Sequence, residues 1–332
     1  MTNTLVLASA GAAAPATVAN VGCGFDIFGF AVDAPCDEVI ARARPEPGVV
    51  ISAISGDGGR LPREAAANTA GAAALALLAH LEAPCGVELE VQKGIPLGSG
   101  IGSSAASAVA AVVAVNALFG SPLTHAELLP FALAGEQVSC APAAVHADNV
   151  APSLLGGFVL MRSTHPLDIV PLPTPASLYC ALVHPDLEVR TADARRILPH
   201  SVPLADAITQ WGNVAGLVAG LLLCDFALIG RSLRDVIVEP VRAMLIPGFA
   251  DVKRAALEAG ALGGGISGSG PTLFALCDSR SGAEAVGAAM GAAFASNGLP
   301  SEVYVSAINR EGARMIAVPT SVALPLPASA GE

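Results

Sequence analysis

The spacing of hydrophobic and polar residues predicts a chain in which strands alternate with helices. Residues 87–91, VELEV, alternate strictly, as in a strand with one buried face. An alanine- and leucine-rich run at residues 69–80 follows Asn68, and asparagine is a preferred helix N-cap. Thr124 and Glu127 have the spacing of a capping box, so we expect another helix to about residue 138.

The same reasoning predicts elements along the rest of the chain. Further strands are predicted at residues 38–41, 49–54, 157–161, 178–183, 272–276 and 302–307. Further helices are predicted at residues 103–119, 191–198, 203–230, 249–260 and 282–296. Two glycine-rich segments stand beside predicted strands and are expected to be loops: the first glycine loop (residues 94–102) and the second glycine loop (residues 263–270). This order favours an α+β protein with helices on one face of a sheet.

A proline-rich segment divides the chain near its middle. Prolines stand at positions 166, 171, 173 and 175, and such segments are common between domains. A length of 332 residues also suggests two domains, at roughly 150 residues each. We therefore expect one domain at residues 1–165 and a second at residues 166–318, followed by a disordered tail at residues 319–332.

Composition narrows the class of protein. Hydrophobic residues make up 53% of the chain and charged residues only 14%, which excludes a chain that is mainly disordered. The net charge is -11 and no run of basic residues occurs, so a nucleic-acid partner is not expected. The seven cysteines are scattered without a CxxC pair, which favours free thiols in a reducing compartment.

No segment has the pattern of a membrane span or a secretory signal. Residues 214–230 are the most apolar helix candidate, but Gly216, Gly220 and Asp225 interrupt them, and a span needs about 18 apolar residues. Residues 5–15 are apolar, yet residues 1–4 contain no lysine or arginine, so the basic region that opens a signal sequence is missing. We expect a cytoplasmic protein with no membrane partner.

The first glycine loop is the strongest candidate for a functional motif. Glycines alternate at positions 98, 100 and 102, and two serines then open a helix. Glycines allow backbone N–H groups to converge, and a helix N-terminus carries about half a positive charge, so phosphate can bind without side-chain cations. The chain has only two lysines, Lys93 and Lys253, which fits such a site. The loop matches neither the Walker A nor the dinucleotide-binding pattern. A purely structural strand-to-helix turn remains the alternative on spacing alone.

Three motifs together resemble those of the GHMP kinases, the superfamily of galactokinase, homoserine kinase, mevalonate kinase and phosphomevalonate kinase. Residues 95–107, IPLGSGIGSSAAS, resemble the second motif, with Ile101 where leucine is usual. Residues 14–29 resemble the first motif in its homoserine kinase form, and residues 264–272 resemble the third. The resemblance covers residues 14–307 and implies a two-domain α+β fold. Its N-terminal domain is α/β and similar to domain 2 of ribosomal protein S5, and its C-terminal domain is ferredoxin-like.

The resemblance also implies a phosphotransferase that uses ATP and Mg²⁺ and acts on an alcohol. The homoserine kinase form implies L-homoserine as the acceptor and O-phospho-L-homoserine, a precursor of threonine, as the product. The nucleotide-binding residues that it implies are Asn68, Pro96, Leu97, Gly98, Ser99, Gly100, Ile101, Gly102, Ser103, Ser104 and Thr191. It pairs Ser104 with Glu136 on the metal, and a hard cation does prefer hydroxyl and carboxylate oxygens. From its own sequence context, Asn68 is a helix cap, and an adenine contact is an addition from the resemblance.

Homoserine is a zwitterion, so its binding site needs groups of both signs. Asn20 and Asp26 suit the ammonium, and Arg195 and Arg242 suit the carboxylate. His146, Asp148 and Gly268 complete the expected substrate site. The expected catalytic residues are Glu136, Ser104, Asn149 and Arg195.

The proton acceptor is left open between several groups. Asp148 and His146 are candidates, but the resemblance favours positioning of the reactants, with a phosphate oxygen or water as acceptor. Other readings of the chain are a GHMP kinase for another small hydroxy compound, a non-catalytic nucleotide-binding relative, and a structural alanine-rich protein. The resemblance is compatible with a homodimer.

Overall fold

The structure is a computed structural model that describes residues 4–140 and 146–318. The tail expected to be disordered, residues 319–332, lies outside the described residues. In the described part of the chain, the strands are β1 (Ser9–Ala19), β2 (Phe28–Arg44), β3 (Val49–Ser55), β4 (Gly86–Gln92), β5 (Phe158–Thr164), β6 (Leu167–Leu172), β7 (Tyr179–Pro185), β8 (Gly263–Ile266), β9 (Leu273–Cys277), β10 (Ser301–Ala307) and β11 (Arg314–Ile316).

Ten α-helices occur in the same described ranges. They are α1 (Thr69–His80), α2 (Ser103–Leu118), α3 (His125–Cys140), α4 (Ala147–Leu155), α5 (Thr191–Arg196), α6 (Leu204–Leu223), α7 (Phe226–Ser232), α8 (Glu239–Arg242), α9 (Phe249–Glu258) and α10 (Arg280–Ser296). Among these helices of the described ranges, none is long and apolar enough to cross a membrane.

The first sheet belongs mainly to the N-terminal half. Its strand order is β11-β1-β2-β4-β3, and β5 pairs with both β2 and β6. Helix α2 packs on β1 and β2 and is buried along almost its whole length. Alanine and serine occupy most positions of α2, so strands and helices approach it closely on every side. This packing explains how the chain builds a core with few aromatic residues.

The second sheet lies between the first core and two helices of the C-terminal half. Its strand order is β10-β7-β9-β8. Alternate residues of β9 face opposite sides, so that Phe274 joins the first core while Ala275 joins a second core with α9 and α10. The ring of Phe274 meets Phe30 of β2 at 6.0 Å between centroids. The two halves therefore share buried apolar contacts, which fixes the cleft between them.

Several predicted boundaries differ from the structure for local reasons. The single helix expected at residues 203–230 is two helices, because Cys224 adopts a left-handed conformation and Asp225 caps α7 through the Leu228 N–H. The second glycine loop begins with a strand, β8, which pairs with β9. The pattern also missed β1, in which alanine occupies most of the apolar positions, and α4, which is only nine residues long and contains Pro152.

The proline-rich segment marks the change from one sheet to the other. Strand β6 still pairs with β5 in the first sheet, and β7 is the first strand of the second sheet. The change therefore falls between Leu172 and Tyr179, whereas the expected domain boundary after residue 165 lies in the turn between β5 and β6. Near the C-terminus, β11 returns to pair with β1 of the first sheet.

Candidate functional site

A cavity of about 700 Å³ opens between the two halves. Eighteen of the predicted site residues line it: Asn20, Asp26, Asn68, Leu97, Gly98, Ser99, Gly100, Gly102, Ser103, Ser104, Glu136, His146, Asp148, Asn149, Thr191, Arg195, Arg242 and Gly268. Two predicted residues do not line it. Ile101 is fully buried in the core, and Pro96 supports the loop through its carbonyl, which accepts the Ser99 hydroxyl at 2.7 Å. Ile101 and Pro96 therefore support the conformation of the loop and do not face the cavity.

The first glycine loop connects β4 to α2 along one wall of the cavity. Gly98, Gly100 and Gly102 have φ values of 71°, 80° and 76°, a region that side chains with a Cβ rarely adopt. Gly102 is the N-cap of α2, and no side chain of the described residues caps that helix. The N–H groups of the first turn are therefore available to an anion. The loop has the backbone form that phosphate binding requires.

The second glycine loop closes over the first from the other half of the chain. The Ser267 hydroxyl donates to the Gly100 carbonyl at 2.9 Å, and the Thr272 N–H donates to the Ser99 carbonyl at 3.2 Å. A Cβ on Gly100 would lie 2.5 Å from the Gly270 carbonyl oxygen. Glycine is required at this position because two backbones meet there.

Ser104 and Glu136 meet at one end of the first glycine loop. Ser104 lies in the first turn of α2, and its hydroxyl donates to Glu136 Oε1 of α3 at 2.8 Å. Glu136 is buried. A buried carboxylate beside a hydroxyl, next to a phosphate-type loop, is a donor set that suits Mg²⁺, which is commonly held by one or two carboxylates together with substrate phosphates.

A second group of charged side chains lines the same cavity. Arg195 forms a bidentate pair with Asp26, with Nη1 to Oδ2 at 3.0 Å and Nη2 to Oδ1 at 2.9 Å. His146 Nδ1 lies 3.6 Å from Asp26 Oδ2. The structure thus places the residue expected for the ammonium directly against the residue expected for the carboxylate. A zwitterionic ligand can bind here with its ammonium on Asp26 and its carboxylate on Arg195.

Backbone and amide contacts hold this charged cluster in place. Asn20 has φ 70° and accepts the Asp26 N–H at 3.0 Å through its side-chain oxygen. The Asn20 amide and Arg242 Nη1 both donate to the Gly268 carbonyl, at 2.8 Å and 2.7 Å. The guanidinium of Arg242 lies 5.0 Å from the ring centroid of Phe25. Residues of the first and third motifs are therefore joined around one wall of the cavity.

Burial changes the acid–base properties of this region. It raises the pKa of Asp148 to about 7, and the nearby charge of Asp26 adds to the effect. It lowers the pKa of His146, and it lowers the pKa of Arg242 to about 10. Asp148 is therefore partly protonated near neutral pH, whereas Arg242 stays charged. Perturbed groups gathered in one cleft are typical of a functional site.

Three further predicted residues have defined structural contacts. Asn149 Oδ1 accepts the Thr17 hydroxyl at 2.8 Å, next to Gly102 of the first glycine loop. The Thr191 hydroxyl lies 3.4 Å from the Ser269 hydroxyl. Asn68 caps α1 by accepting the Ala70 and Gly71 N–H groups, while its amide donates to the Pro62 carbonyl. The helix-cap reading of Asn68 is thus confirmed, and the residue also lines the cavity.

Sequence reasoning missed a set of polar residues behind and beside the loop. Lys93, Asp37 and Ser107 form a buried cluster directly behind it, and Arg60 pairs with Glu188 at the mouth of the cavity. Lys93 had one available signal, since it is one of only two lysines and immediately precedes the first glycine loop. Asp37 had none, because it lies in the middle of a long strand.

Comparison with known proteins identifies the chain. Residues 68–157 match the family of GHMP kinases N terminal domains, and residues 217–296 match the GHMP kinases C terminal family. The homoserine kinase of Chlorobium phaeovibrioides is 54% identical over 91% of this chain and 98% of its own length. That of Chloroherpeton thalassium is 50% identical over the same shares. A crystal structure of homoserine kinase from Cytophaga hutchinsonii is 55% identical with a TM-score of 0.91, and covers 94% of this chain and 99% of its own.

A more distant structure shares the fold alone. The mevalonate kinase of L. major, solved in complex with R-mevalonate, is 17% identical with a TM-score of 0.70, and the match covers 92% of this chain and 98% of its own. The fold and the glycine-loop site thus define a GHMP kinase, and the chain belongs to that superfamily. Within the superfamily, it belongs to the homoserine kinase family. The expected two-domain α+β GHMP kinase fold is confirmed.

Proposed function

We propose that the chain transfers the γ-phosphoryl group of ATP to the hydroxyl of L-homoserine and forms O-phospho-L-homoserine for threonine biosynthesis. The observation that carries the proposal is that one cavity holds both the Ser104–Glu136 contact and the Asp26–Arg195 pair. A non-catalytic relative would not need the Ser104–Glu136 contact. A kinase whose acceptor is not a zwitterion would not need the Asp26–Arg195 pair.

The nucleotide end binds mainly through backbone groups. We propose that the first glycine loop and the uncapped N-terminus of α2 receive the triphosphate, and that Asn68 and Thr191, which line the same cavity, contact the nucleotide. Ser104 and Glu136 would hold Mg²⁺, which supplies positive charge to the phosphate oxygens as charge redistributes during transfer.

The acceptor end binds through charged side chains. We propose that Asp26, with Asn20, His146 and Asp148 around it, receives the ammonium of homoserine. Arg195 and Arg242 receive its carboxylate, and Asn149, which lies beside Gly102, positions the hydroxyl. Phosphoryl transfer depends mostly on positioning and electrostatic stabilisation. A phosphate oxygen or water then accepts the hydroxyl proton, without a dedicated base.

A screen of acceptors tests this proposal. ADP release is measured with L-homoserine, mevalonate, galactose and shikimate, and with no acceptor as the control for background hydrolysis. Only L-homoserine should give acceptor-dependent turnover, with equal amounts of ADP and phosphorylated product. Turnover with another acceptor but not with homoserine would keep the kinase chemistry and overturn the assigned substrate.

We further propose that the protein works in the cytoplasm, where ATP and free amino acids are available.

We also propose that the protein forms a homodimer through α6. Leu204, Ile208, Trp211 and Leu222 are spaced by 4, 3 and 11 residues, which places them on one face of this helix, and Trp211 is 62% exposed. Such a stripe matches an antiparallel copy of itself across a two-fold axis. Light scattering should give twice the mass of the chain, and Trp211→Glu should reduce it to one chain.

A further inference from the structure

Both ends of the first glycine loop are held by one buried ion pair. Lys93, the residue before the loop, extends its ammonium to Asp37 of β2, and the two side chains are almost completely inaccessible to solvent. Asp37 Oδ1 accepts the N–H groups of Gly94 and Ile95, both at 3.0 Å. The Lys93 ammonium also donates to the Ser103 carbonyl at 2.7 Å. The pair therefore contacts the loop where it begins and again where it ends.

Ser107 joins the two charged groups from the second turn of α2. Its hydroxyl accepts from Lys93 at 2.7 Å and donates to Asp37 Oδ2 at 2.8 Å. Separately, the Ser103 hydroxyl donates to the Ile95 carbonyl at 3.0 Å, which ties the two loop ends to each other. These hydrogen bonds together fix the distance between the start of the loop and the N-terminus of α2.

Stability alone is a poor explanation for burying these charges. Removing two charges from water costs several kcal/mol per ion, and a well-packed apolar pair of similar volume is often as stable or more stable. The burial of this pair therefore favours a role other than stability. The position of its hydrogen bonds, at both ends of a loop that must present its backbone to phosphate, indicates what that role is.

We propose that Lys93 and Asp37, joined by Ser107, are positioning residues that set the shape of the first glycine loop for nucleotide binding. The inference rests on the proposed function only in that the loop binds a nucleotide phosphate. Lys93 acts through its hydrogen bond to the Ser103 carbonyl, and Asp37 acts through the Gly94 and Ile95 N–H groups. Neither needs to contact the nucleotide.

Two double variants separate this role from a structural one and from a direct phosphate contact. Lys93→Met with Asp37→Leu replaces the pair by apolar groups and removes the hydrogen bonds that the pair makes to the loop ends. Lys93→Gln with Asp37→Asn removes both charges but keeps an amide donor for the Ser103 carbonyl and an amide oxygen for the Gly94 and Ile95 N–H groups. Mg-ADP binding is measured by calorimetry, together with thermal unfolding. This readout does not depend on homoserine turnover, so a wrong acceptor would leave it intact.

The apolar pair should remain folded and bind Mg-ADP about 10- to 100-fold more weakly, as expected for the loss of the hydrogen bonds that hold the loop. The amide pair should bind within about threefold of the unchanged protein, and the KM for homoserine should stay within about twofold in both. Equal losses in the two variants would overturn the proposal in favour of a direct effect of the lysine charge. No loss in either would show that the cluster only fills space.

A control pair and a milder variant complete the test. Lys253→Met with Glu239→Leu removes the ion pair of the other lysine, in the C-terminal half, and should leave Mg-ADP affinity unchanged. If the apolar variant at positions 93 and 37 does not fold, Ser107→Ala decides, because it removes the shared hydroxyl and leaves the ion pair intact. A threefold to fivefold loss of Mg-ADP affinity would support the proposal, and an unchanged affinity would overturn it.

Discussion

The proposed nucleotide end of the cavity is built from backbone groups, whereas the proposed acceptor end is built from charged side chains. At the nucleotide end, the first glycine loop offers backbone groups, and the second glycine loop is held against it by hydrogen bonds to backbone carbonyls. At the acceptor end, side chains of Asp26, Arg195 and Arg242 carry the charges, and each is fixed by contacts with another side chain or a carbonyl. One end depends on the absence of side chains and the other on their charge.

This difference explains a feature of the composition. A chain with two lysines can still bind a triphosphate when backbone N–H groups and a helix N-terminus meet the anion. The few charged residues are then available where a small zwitterion must be distinguished from neutral alcohols. We therefore expect that adding a methyl group will do the most damage at the nucleotide end, while removing a charge will do the most damage at the acceptor end.

Gly100→Ala should have the largest effect of the variants considered. Its φ of 80° strains a residue with a Cβ, and the new methyl carbon would lie 2.5 Å from the Gly270 carbonyl oxygen of the opposing loop. Strain and displacement of the loop should lower kcat/KM for ATP by about 10⁴-fold, of which about 10² comes from affinity and about 10² from misplacement of the phosphate. Steady-state kinetics at saturating homoserine measures the effect.

Gly298→Ala is the matched control for this variant. Gly298 has a φ of 77°, but a Cβ there would have no neighbour within 4 Å. The alanine should lower the melting temperature, because it is strained in this backbone conformation, and it should leave kcat/KM unchanged. If Gly100→Ala behaves in the same way, the two glycine loops need not meet as closely as the structure shows.

Glu136→Gln should have the next largest effect. The variant keeps an oxygen for the Ser104 hydroxyl but loses the negative charge that a cation requires. We expect kcat to fall about 10²- to 10³-fold and the Mg²⁺ concentration for half-maximal rate to rise, as for the loss of one charge-stabilising group. Glu127→Gln, on the same helix but in its capping box, should lower stability slightly and leave the Mg²⁺ dependence unchanged.

The ability to predict this site from sequence also differs between its two ends. The first glycine loop was found because glycine spacing and a helix start are local signals that backbone geometry imposes. The motifs named Asp26 and Arg195 separately, but 169 residues separate them, and no local pattern shows that they form one ion pair. The Ser104–Glu136 contact was expected from the resemblance, since a lone glutamate in a helix carries no signal of its own.

The fold shows a similar division. Helices with clear N-caps, such as α1 after Asn68, begin where the sequence predicts them to begin. Strand β1 was missed because alanine, which fits helices as well as strands, fills most of its apolar positions. Helix α4 was missed because it is short and contains Pro152, which usually indicates a helix end. The return of β11 to the first sheet is a long-range pairing, and a three-residue strand gives almost no periodicity to detect.

Arg195→Leu should affect the acceptor end alone. It removes a charged group that we assign to the homoserine carboxylate and leaves Asp26 without its bidentate partner. We expect the KM for homoserine to rise about 100-fold, in the range for charged hydrogen bonds, with the KM for ATP changed less than about threefold. Arg196→Leu, on the exposed neighbour that pairs with Asp193, should change neither constant. A collapse of ATP affinity in Arg195→Leu would contradict the assignment of Arg195 to the acceptor.

Asp148→Asn should have the smallest effect on kcat and the clearest effect on pH dependence. Burial raises the pKa of Asp148 to about 7, so the group is mostly neutral at pH 6 and mostly negative at pH 8. Because the negative form attracts the substrate ammonium, the KM for homoserine should fall as the pH rises through 7. In the asparagine variant this dependence should disappear, with a KM about tenfold higher at pH 8 and nearly unchanged at pH 6.

The size of the kcat change in the same variant decides between positioning and base catalysis. A carboxyl with a pKa near 7 has the proton affinity that a general base requires, so its chemistry alone does not exclude that role. If Asp148 only positions homoserine, kcat at saturating substrate should fall a few-fold and keep its shape against pH. A fall in kcat beyond about 10³-fold, together with loss of the rise in kcat near pH 7, would show that Asp148 is the base. The acceptor end would then take part in proton transfer as well as in binding.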